Sequence, residues 1–280
     1  MNRRKGLLAL PMLLWAALFV GVGLIYIIAL SVMKKGDAFN AIPEFTLENY
    51  ARVFSEQYGK AMLNSLRLAF LTTGISLLLG YPFAYFMART EGRARLWLLL
   101  LIIAPFWTNA LIRMYGWKIL LGASGPMNQV LKALGIIQKP IKILYTETAV
   151  LIGMVYAMIP FIILPVYSGL ERMDWTVVEA ARDLGASPFK AFWTMTFRMT
   201  LPSALAGCVL TLLPSIGLFF ISDILGGSNT LLWGNLVHDE LLKSRDTPMA
   251  AALSVVLLML TFLILAVYRR AGGSNEEMVF

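Results

Sequence analysis

The chain has 280 residues, of which 59% are apolar and only 14% are charged. Soluble domains are about 45 to 50% apolar and about 25% charged, so this composition excludes an ordinary water-soluble globule. The formal net charge of +8 is typical of membrane proteins whose loops lie beside anionic lipid, and we expect no nucleic-acid partner.

Long apolar stretches with few charges recur along the chain, and a helix that spans a bilayer needs about 20 mostly apolar residues. They predict an all-α, polytopic membrane protein with one transmembrane domain over residues 1–270. We place its six helices at about 7–33, 66–88, 96–117, 148–170, 199–222 and 247–268. Residues 271–280 are expected to form a cytoplasmic tail.

Basic residues beside the first spans predict the orientation. Residues 3–5 are all basic, and the short loop before the third span carries Arg89, Arg93 and Arg95. Because cytoplasmic loops have an excess of Lys and Arg, we expect both termini on the cytoplasmic side of the cell (inner) membrane.

Pro105 interrupts the third span, and its missing N–H frees a carbonyl that lipid cannot satisfy. Trp107 and Asn109 follow at once, where unwound backbone would expose carbonyls to a cavity, so both are candidates for a substrate path. Trp107 has the alternative of lying in an aromatic belt at the membrane surface. Arg113 and Lys118 oppose a path for cations, and we expect them to face a partner protein or lipid phosphates.

Two further features lie beyond this span. The stretch 122–135 is moderately apolar and is a candidate for a short interfacial or re-entrant helix on the outer face. In the fourth span, Tyr156 and Tyr167 flank Pro160 and Pro165, and both tyrosines are candidates to line a pore.

The loop over residues 171–198 is far more charged than its surroundings, and it predicts two short helices. Thr176 and Glu179 have the spacing of a capping box, which starts a helix at the threonine. Gly185 suits the left-handed residue that ends a helix. Ser187 and Pro188 then predict a new N-cap and first turn leading to the fifth span.

The sequence of the first of these helices predicts a short helix that projects from the loop. Val177, Ala181 and Leu184 are predicted to share one face, and Ala180 adds little bulk, so another protein's backbone can approach closely. The alternative is an amphipathic helix that lies on the lipid headgroups.

Asp223 follows the predicted fifth span and is the main candidate for contact with a cation. Phe219 and Phe220 precede it by four and three residues, which places them beside it on one helical face. A carboxylate and aromatic faces together suit an ammonium group. The alternative is an acid solvated at the outer headgroups.

Catalytic and metal-binding patterns are not found in the sequence. One cysteine and one histidine do not suffice for a disulfide or a histidine-rich metal site. The P-loop pattern and the common hydrolase motifs are absent too, so we expect a transport subunit that is not an enzyme. A stand-alone secondary carrier or channel and a structural membrane subunit are the alternatives to a subunit of a larger transporter.

The segment EAARDLG, residues 179–185, resembles the EAA motif of binding-protein-dependent ABC importer permeases. The resemblance implies the type I (MetI-like) permease fold and a loop that couples to a cytoplasmic ATPase through Glu179, Ala180, Ala181, Leu184 and Gly185. Arg198 departs from the family pattern, which has proline there, and we interpret it as a softened end of the second short helix.

Further segments, among them IAPFWTNALIRMYGWKILL and LPSIGLFFISDILGG, are similar to the first permease of spermidine/putrescine importers. That resemblance implies polyamine transport, with the same family's other small substrates as the alternative. It also implies a second homologous permease, an ATPase dimer and an extracytoplasmic substrate-binding protein as partners. No cofactor is expected in this chain, because ATP and magnesium would be bound by the ATPase.

Overall fold

The computed structural model describes residues 11–270 except 13, 38, 228 and 229. The basic residues 3–5 and the expected tail 271–280 therefore lie outside the described residues. Two compact units are distinguished, one formed by Met1–Ala61 with Trp233–Phe262 and the other by Met62–Leu232 with Leu263–Phe280.

Helices account for most of the described chain, as an apolar membrane sequence requires, because a helix satisfies its own backbone groups within lipid. In chain order they are α1 (Leu14–Ser31), α2 (Glu48–Val53), α3 (Glu56–Arg89), α4 (Gly92–Ile103), α5 (Ala110–Leu121), α6 (Pro126–Ala133), α7 (Glu147–Met158), α8 (Pro160–Glu171), α9 (Thr176–Asp183), α10 (Pro188–Gly217), α11 (Phe219–Ile221), α12 (Trp233–Leu242) and α13 (Thr247–Arg270). The helix predicted in the stretch 122–135 corresponds to α6.

A β-hairpin in the first unit was not predicted. Strands β1 (Met33–Lys35) and β2 (Ala41–Phe45) pair antiparallel, with an irregular register between Met33 and Lys34. The strands are too short to produce an alternating pattern that the sequence could reveal. Asn49 of α2 holds the end of α1 and the hairpin together, because its amide donates to the carbonyls of Ser31 and Met33 at 3.0 and 2.8 Å.

A buried carboxylate joins the parts of the first unit. Asp246, just before α13, is 1% exposed, and its carboxylate accepts from Arg52 at 2.9 Å and lies 3.6 Å from the Lys35 ammonium. It also accepts the amide of Met249 at 3.1 Å. A buried charge needs such pairing, so Asp246 ties the hairpin and α2 to the start of α13.

Two apolar clusters form the core of the second unit. One gathers α5, α7 and the segment after α10 around buried residues such as Met114, Met154 and Leu225. The other gathers α3, α4, α8 and α10 around residues such as Met87 and Ile162.

Helices α8 and α10 pack closely through small residues. A Cβ atom on Gly207 of α10 would lie 3.2 Å from the Cα atom of Ile162 and from the carbonyl oxygen of Phe161. A Cβ atom on Gly169 of α8 would meet the Ser203 side chain. Small residues let membrane helices approach closely, so this pair is the most intimate contact of the second unit.

The predicted third span is not one helix. The run Gly92–Trp107 and the run Ala110–Ala133 are bent by 98°. Pro105 is the physical reason, because α4 passes into a single tight turn at Ala104–Trp107 and Thr108 is extended.

Ion pairs in the second unit show which ends of the neighbouring helices the chain reaches before and after this bend. Arg67 pairs with Glu147 at the start of α7, while Arg95 pairs with Glu171 at the end of α8. The run Glu147–Glu171 has 25 residues, or about 37 Å of helix. The chain from Arg95 to Glu147 therefore travels from one end of that helix to the other.

The predicted fifth span is displaced. Its helix, α10, begins at Pro188 and ends at Gly217, not at residue 222. Leu218 breaks the helix with a ψ of 70°, and α11 continues as a wider π-helical turn at Ser222–Gly226.

Candidate functional site

The first candidate site is the projecting segment, defined here as residues 172–187 between α8 and α10. Its helix, α9, does not start by the predicted capping box, because Glu179 donates its amide to the carbonyl of Trp175. Asp174 caps the helix instead, accepting from the Thr176 amide at 3.0 Å and from its hydroxyl at 2.8 Å. These hydrogen bonds lower the pKa of the Asp174 carboxyl, so it stays charged near neutral pH.

The end of α9 follows the prediction. Gly185 has a φ of +87°, its amide donates to the carbonyl of Arg182, and the amide of Ala186 donates to that of Ala181. This is a Schellman ending, which glycine adopts without the strain that a Cβ atom would add.

The second short helix is an extension of the fifth span. Ser187 accepts the amide of Lys190 at 3.3 Å, which confirms the predicted N-cap. The helix then runs on through a π-helical turn at Phe192–Thr196 into the membrane. Arg198 therefore does not mark the end of a helix, since arginine keeps the backbone N–H that proline lacks.

Burial divides the predicted face of α9. Ala181 is buried with Val178 against Met173 and Ala191, so the expectation that it shares an open face with Leu184 is wrong. Leu184 is 91% exposed and Val177 is 37% exposed. Glu179, Ala180 and Gly185 are exposed as well. One apolar stripe holds α9 to its own loop, and a neighbouring stripe of Val177, Ala180 and Leu184 stays open.

Aromatic and ionic contacts tie the projecting segment to the membrane helices. The guanidinium of Arg89, the last residue of α3, lies 4.2 Å from the centre of the Trp175 ring. The Tyr85 ring of the same helix meets Trp175 edge-on, with the ring centres 5.9 Å apart. A displacement of the projecting segment would therefore move α3 through these contacts. It would also move α10, because the segment leads directly into that helix.

The second candidate site is an open cavity of about 340 Å³ in the second unit, called here the aromatic cavity. It is lined by residues of α3, of α4 with its following turn, and of α5, α7 and α8, among them Leu101, Pro105, Phe106, Arg113, Tyr156 and Pro160. Ile159 lines it too and stands twelve residues from either end of the run Glu147–Glu171. The cavity therefore lies near the middle of that helical run, and secondary transporters commonly bind substrate beside broken helices at such a depth.

Two of the helices around the aromatic cavity carry proline there. Pro105 and Pro160 have no N–H to donate to the carbonyls of Leu101 and Tyr156, four residues earlier. Both of those residues line the cavity. The structure thus combines aromatic faces with helical carbonyls that lack their usual donor.

Arg113 lies in the aromatic cavity, although we expected it to face a partner or lipid. Its guanidinium is 4.9 Å from the centre of the Phe106 ring and 5.8 Å from that of Tyr156. Its buried Nε atom has no hydrogen-bond partner among the described residues. The sequence analysis did not single out Phe106, and it assigned Arg113 to a partner or lipid contact, although an arginine inside an apolar span is itself a signal of function.

The other predicted path residues are dispersed. Tyr156 lines the cavity and meets Trp117 edge-on at 5.4 Å between ring centres. Trp107 is 77% exposed, and Asn109 caps α5 by accepting the amide of Leu111 at 2.8 Å. Neither of these two residues is among those that line the cavity.

Asp223 does not end a span, as the sequence suggested, but lies in the π-helical turn after α11. Its side chain is exposed, whereas its neighbours Ile224 and Leu225 are buried. Phe220 packs against the core cluster of α5 and α7, and Phe219 meets it edge-on at 6.5 Å. Both rings are half-buried, so the predicted shared face of Asp223, Phe219 and Phe220 stays a prediction.

Comparison with known proteins identifies the family. Residues 80–271 match the model of the binding-protein-dependent transport system inner membrane component. The spermidine/putrescine transport system permease protein PotB of Escherichia coli (strain K12) is 44% identical over 265 residues, covering 95% of this chain and 96% of PotB. PotB of Haemophilus influenzae is 44% identical over 259 residues, covering 92% and 90%.

The fold also matches a solved transporter. The crystal structure of a bacterial ABC transporter involved in the import of the acidic polysaccharide alginate contains a chain that aligns with a TM-score of 0.73 at 18% identity. The alignment covers 96% of each chain and supports the ABC importer permease fold. This multi-pass inner-membrane chain belongs to the family of binding-protein-dependent transport system inner membrane components.

Proposed function

We propose that this chain is one of two permease subunits of an ATP-driven polyamine importer, forming half of the path for spermidine or putrescine. In this proposal the projecting segment docks on a cytoplasmic ATPase dimer, which binds and hydrolyses the ATP. A second homologous permease completes the path, and an extracytoplasmic binding protein delivers the substrate. Both termini lie in the cytoplasm.

The exposure of Leu184 is the observation that best supports the coupling role. Leu184, which is 91% exposed, continues an open apolar stripe with Val177 and Ala180, and such a contiguous stripe supports a contact with another protein. Beside it, the groove of Glu179, Arg182, Asp183, Ala186 and Pro188 offers both charges. An apolar knob with a charged margin has the composition of a protein interface.

Polyamine transport is supported by the names of the relatives and by chemistry. The PotB relative that is 44% identical over 95% of this chain is named as a permease of a spermidine/putrescine transport system. A polyamine is a chain of ammonium groups joined by methylenes, and aromatic rings with carbonyls suit both parts. The aromatic cavity and Asp223 are the places where we expect this chain to contact it.

The coupling role is tested by Gly185→Leu and Glu179→Lys. Leucine does not tolerate the φ of +87° at position 185, and lysine reverses the charge beside Leu184. We expect each variant to reach the membrane normally but to lose ATP-driven spermidine uptake and copurification of the ATPase.

Matched controls separate docking from general damage. Gly185→Asn keeps a residue that accepts the left-handed conformation, and Asp37→Lys makes the same charge reversal at an exposed position in the hairpin loop. Both should transport normally. Normal uptake by Gly185→Leu and Glu179→Lys would overturn the assignment.

Asp223→Asn tests the contact with the cation. We expect slower spermidine uptake with unchanged ATPase copurification, because the carboxylate charge is lost while the shape is kept. Asp37→Asn is the control for loss of an exposed acid. An unchanged rate in Asp223→Asn would return this residue to the role of a solvated acid at the membrane surface.

A further inference from the structure

The position of Arg113 conflicts with a cationic substrate, because it places a fixed positive charge in the cavity that is proposed to bind one. The aromatic cavity offers rings and proline-freed carbonyls, the groups that attract a cation, yet a fixed cation already occupies it. No hydrogen bond or ion pair of the Arg113 side chain is found among the described residues.

The position of Arg113 is costly for a charged group. An arginine at membrane depth is expensive and is retained where it pairs or serves a function. Here its stabilising contacts are the faces of Phe106 and Tyr156, at 4.9 and 5.8 Å from the guanidinium. Cation–π contacts of this kind gain strength when the cation is desolvated.

We propose that the guanidinium of Arg113 is a tethered competitor of the substrate. It occupies the aromatic seat formed by Phe106 and Tyr156 when no substrate is present, and an ammonium group of the transported cation displaces it. The inference rests on the proposed function for the identity of the substrate and adds a residue that sets how tightly the path holds it.

Displacement has two physical consequences. The arginine keeps the seat from being empty between transport cycles, and its competition weakens substrate binding so that the cation can leave. Conduction of an ion requires binding that is favourable enough for entry and weak enough for release. Removal of the guanidinium should therefore tighten binding and slow release.

The first experiment measures spermidine binding to the purified complex of both permeases and the ATPase in detergent, without the binding protein. Arg113→Gln should bind spermidine about tenfold more tightly, the size of one good cation–π contact. Lys118→Gln is the matched control, because Lys118 also lies 5.8 Å from aromatic ring centres, those of Tyr115 and Tyr145, but does not line the cavity.

The seat is identified by a double variant. Adding Tyr156→Leu to Arg113→Gln should abolish the tighter binding, whereas Arg113→Gln alone keeps it. Unchanged or weaker spermidine binding by Arg113→Gln would overturn the inference, and so would tighter binding that persists without Tyr156. Loss of bound phospholipid in Arg113→Gln without tighter spermidine binding would instead assign the guanidinium to a lipid phosphate.

A second experiment does not depend on polyamines. Methylguanidinium should raise the melting temperature of the Arg113→Ala complex and leave the wild type unchanged, because the free cation fills the vacated seat. Equal responses of the two complexes would overturn the inference. Failure of the wild-type complex to import spermidine would defeat the proposed function, while the methylguanidinium result would still decide the role of Arg113.

Discussion

The projecting segment and the aromatic cavity each hold one side chain in an unfavourable environment. In the segment an apolar side chain is exposed, and in the cavity a charged side chain is enclosed. The segment leaves a leucine 91% exposed, whereas the cavity surrounds a guanidinium with rings and aliphatic groups. Such exceptions cost free energy in the isolated chain, so each points to something that compensates for it. The difference agrees with the two proposed roles, a protein contact for the segment and a cation contact for the cavity.

The two regions also differ in how they are built. The projecting segment has its own caps and a small core that it shares with the start of α10, so most of the contacts that hold its shape are local in sequence. The cavity is assembled from five helices, and its shape depends on the packing of α8 against its neighbours. Changes at the segment should therefore affect coupling alone, and changes near the cavity should also affect stability.

Leu184→Glu should have the largest effect of the substitutions proposed for this comparison. Burial of a leucine side chain in a partner contributes about 1.5 to 3 kcal/mol, which corresponds to about ten- to a hundredfold in affinity. We expect spermidine uptake and ATPase copurification to fall by that order, with the amount of membrane-inserted protein unchanged. A loss of protein from the membrane would show that the segment is not independent of the bundle.

Gly207→Val tests the dependence of the cavity on packing. The new side chain meets the backbone of Ile162 and Phe161, so α8 must move, at a cost of about 1 to 3 kcal/mol. We expect a lower melting temperature of the purified complex, by several degrees, together with slower transport. Gly23→Val is the control, since a Cβ atom there meets nothing within 4 Å.

Ala180→Leu and Ala181→Leu should separate the two stripes of α9. Ala180 is exposed, so its enlargement should block close approach of the ATPase and reduce uptake without loosening the loop. Ala181 is 9% exposed, so its enlargement should overpack the loop core and increase proteolysis within residues 172–187. Identical behaviour of the two variants would contradict the division of the helix.

The smallest effect is expected at Asp174. Its hydrogen bonds to Thr176 lower its pKa in the folded segment, so the cap stabilises α9 above the ordinary aspartate pKa of about 3.9. This contribution is lost as the pH falls through the lowered value. Protection factors of the α9 amides, which correct for the intrinsic pH dependence of hydrogen exchange, should fall over that pH range in the wild type. Asp174→Ala should have lower protection factors at neutral pH and no further fall over that range.

Prediction from the sequence succeeded where structure is local. The ending at Gly185 and the N-cap at Ser187 depend on a few neighbouring residues, and both are confirmed. The start of α9 was assigned to Thr176 although Asp174, two residues earlier, caps it, because both residue types favour that position.

Long-range features could not be predicted in the same way. The proline at 105 indicated unwound backbone, but the 98° bend depends on what α5 packs against. The placement of Arg113 over Phe106 and Tyr156 brings two neighbouring elements against α7, which begins more than thirty residues after Arg113. Asp223 lies beyond a break at Leu218 that Gly217, directly before it, did not by itself predict, because glycine is frequent inside membrane helices.

Helix α10 has a mechanical consequence. It is one helical run of 30 residues from Pro188 to Gly217 that includes the π-helical turn at Phe192–Thr196, with a length of about 45 Å. A tilt of about 5° at one end swings the other by about 4 Å, close to the width of a methylene chain. Under the proposed coupling, a small push on the projecting segment would become a displacement of that size at the other end of α10, enough to admit or exclude a thin, linear solute.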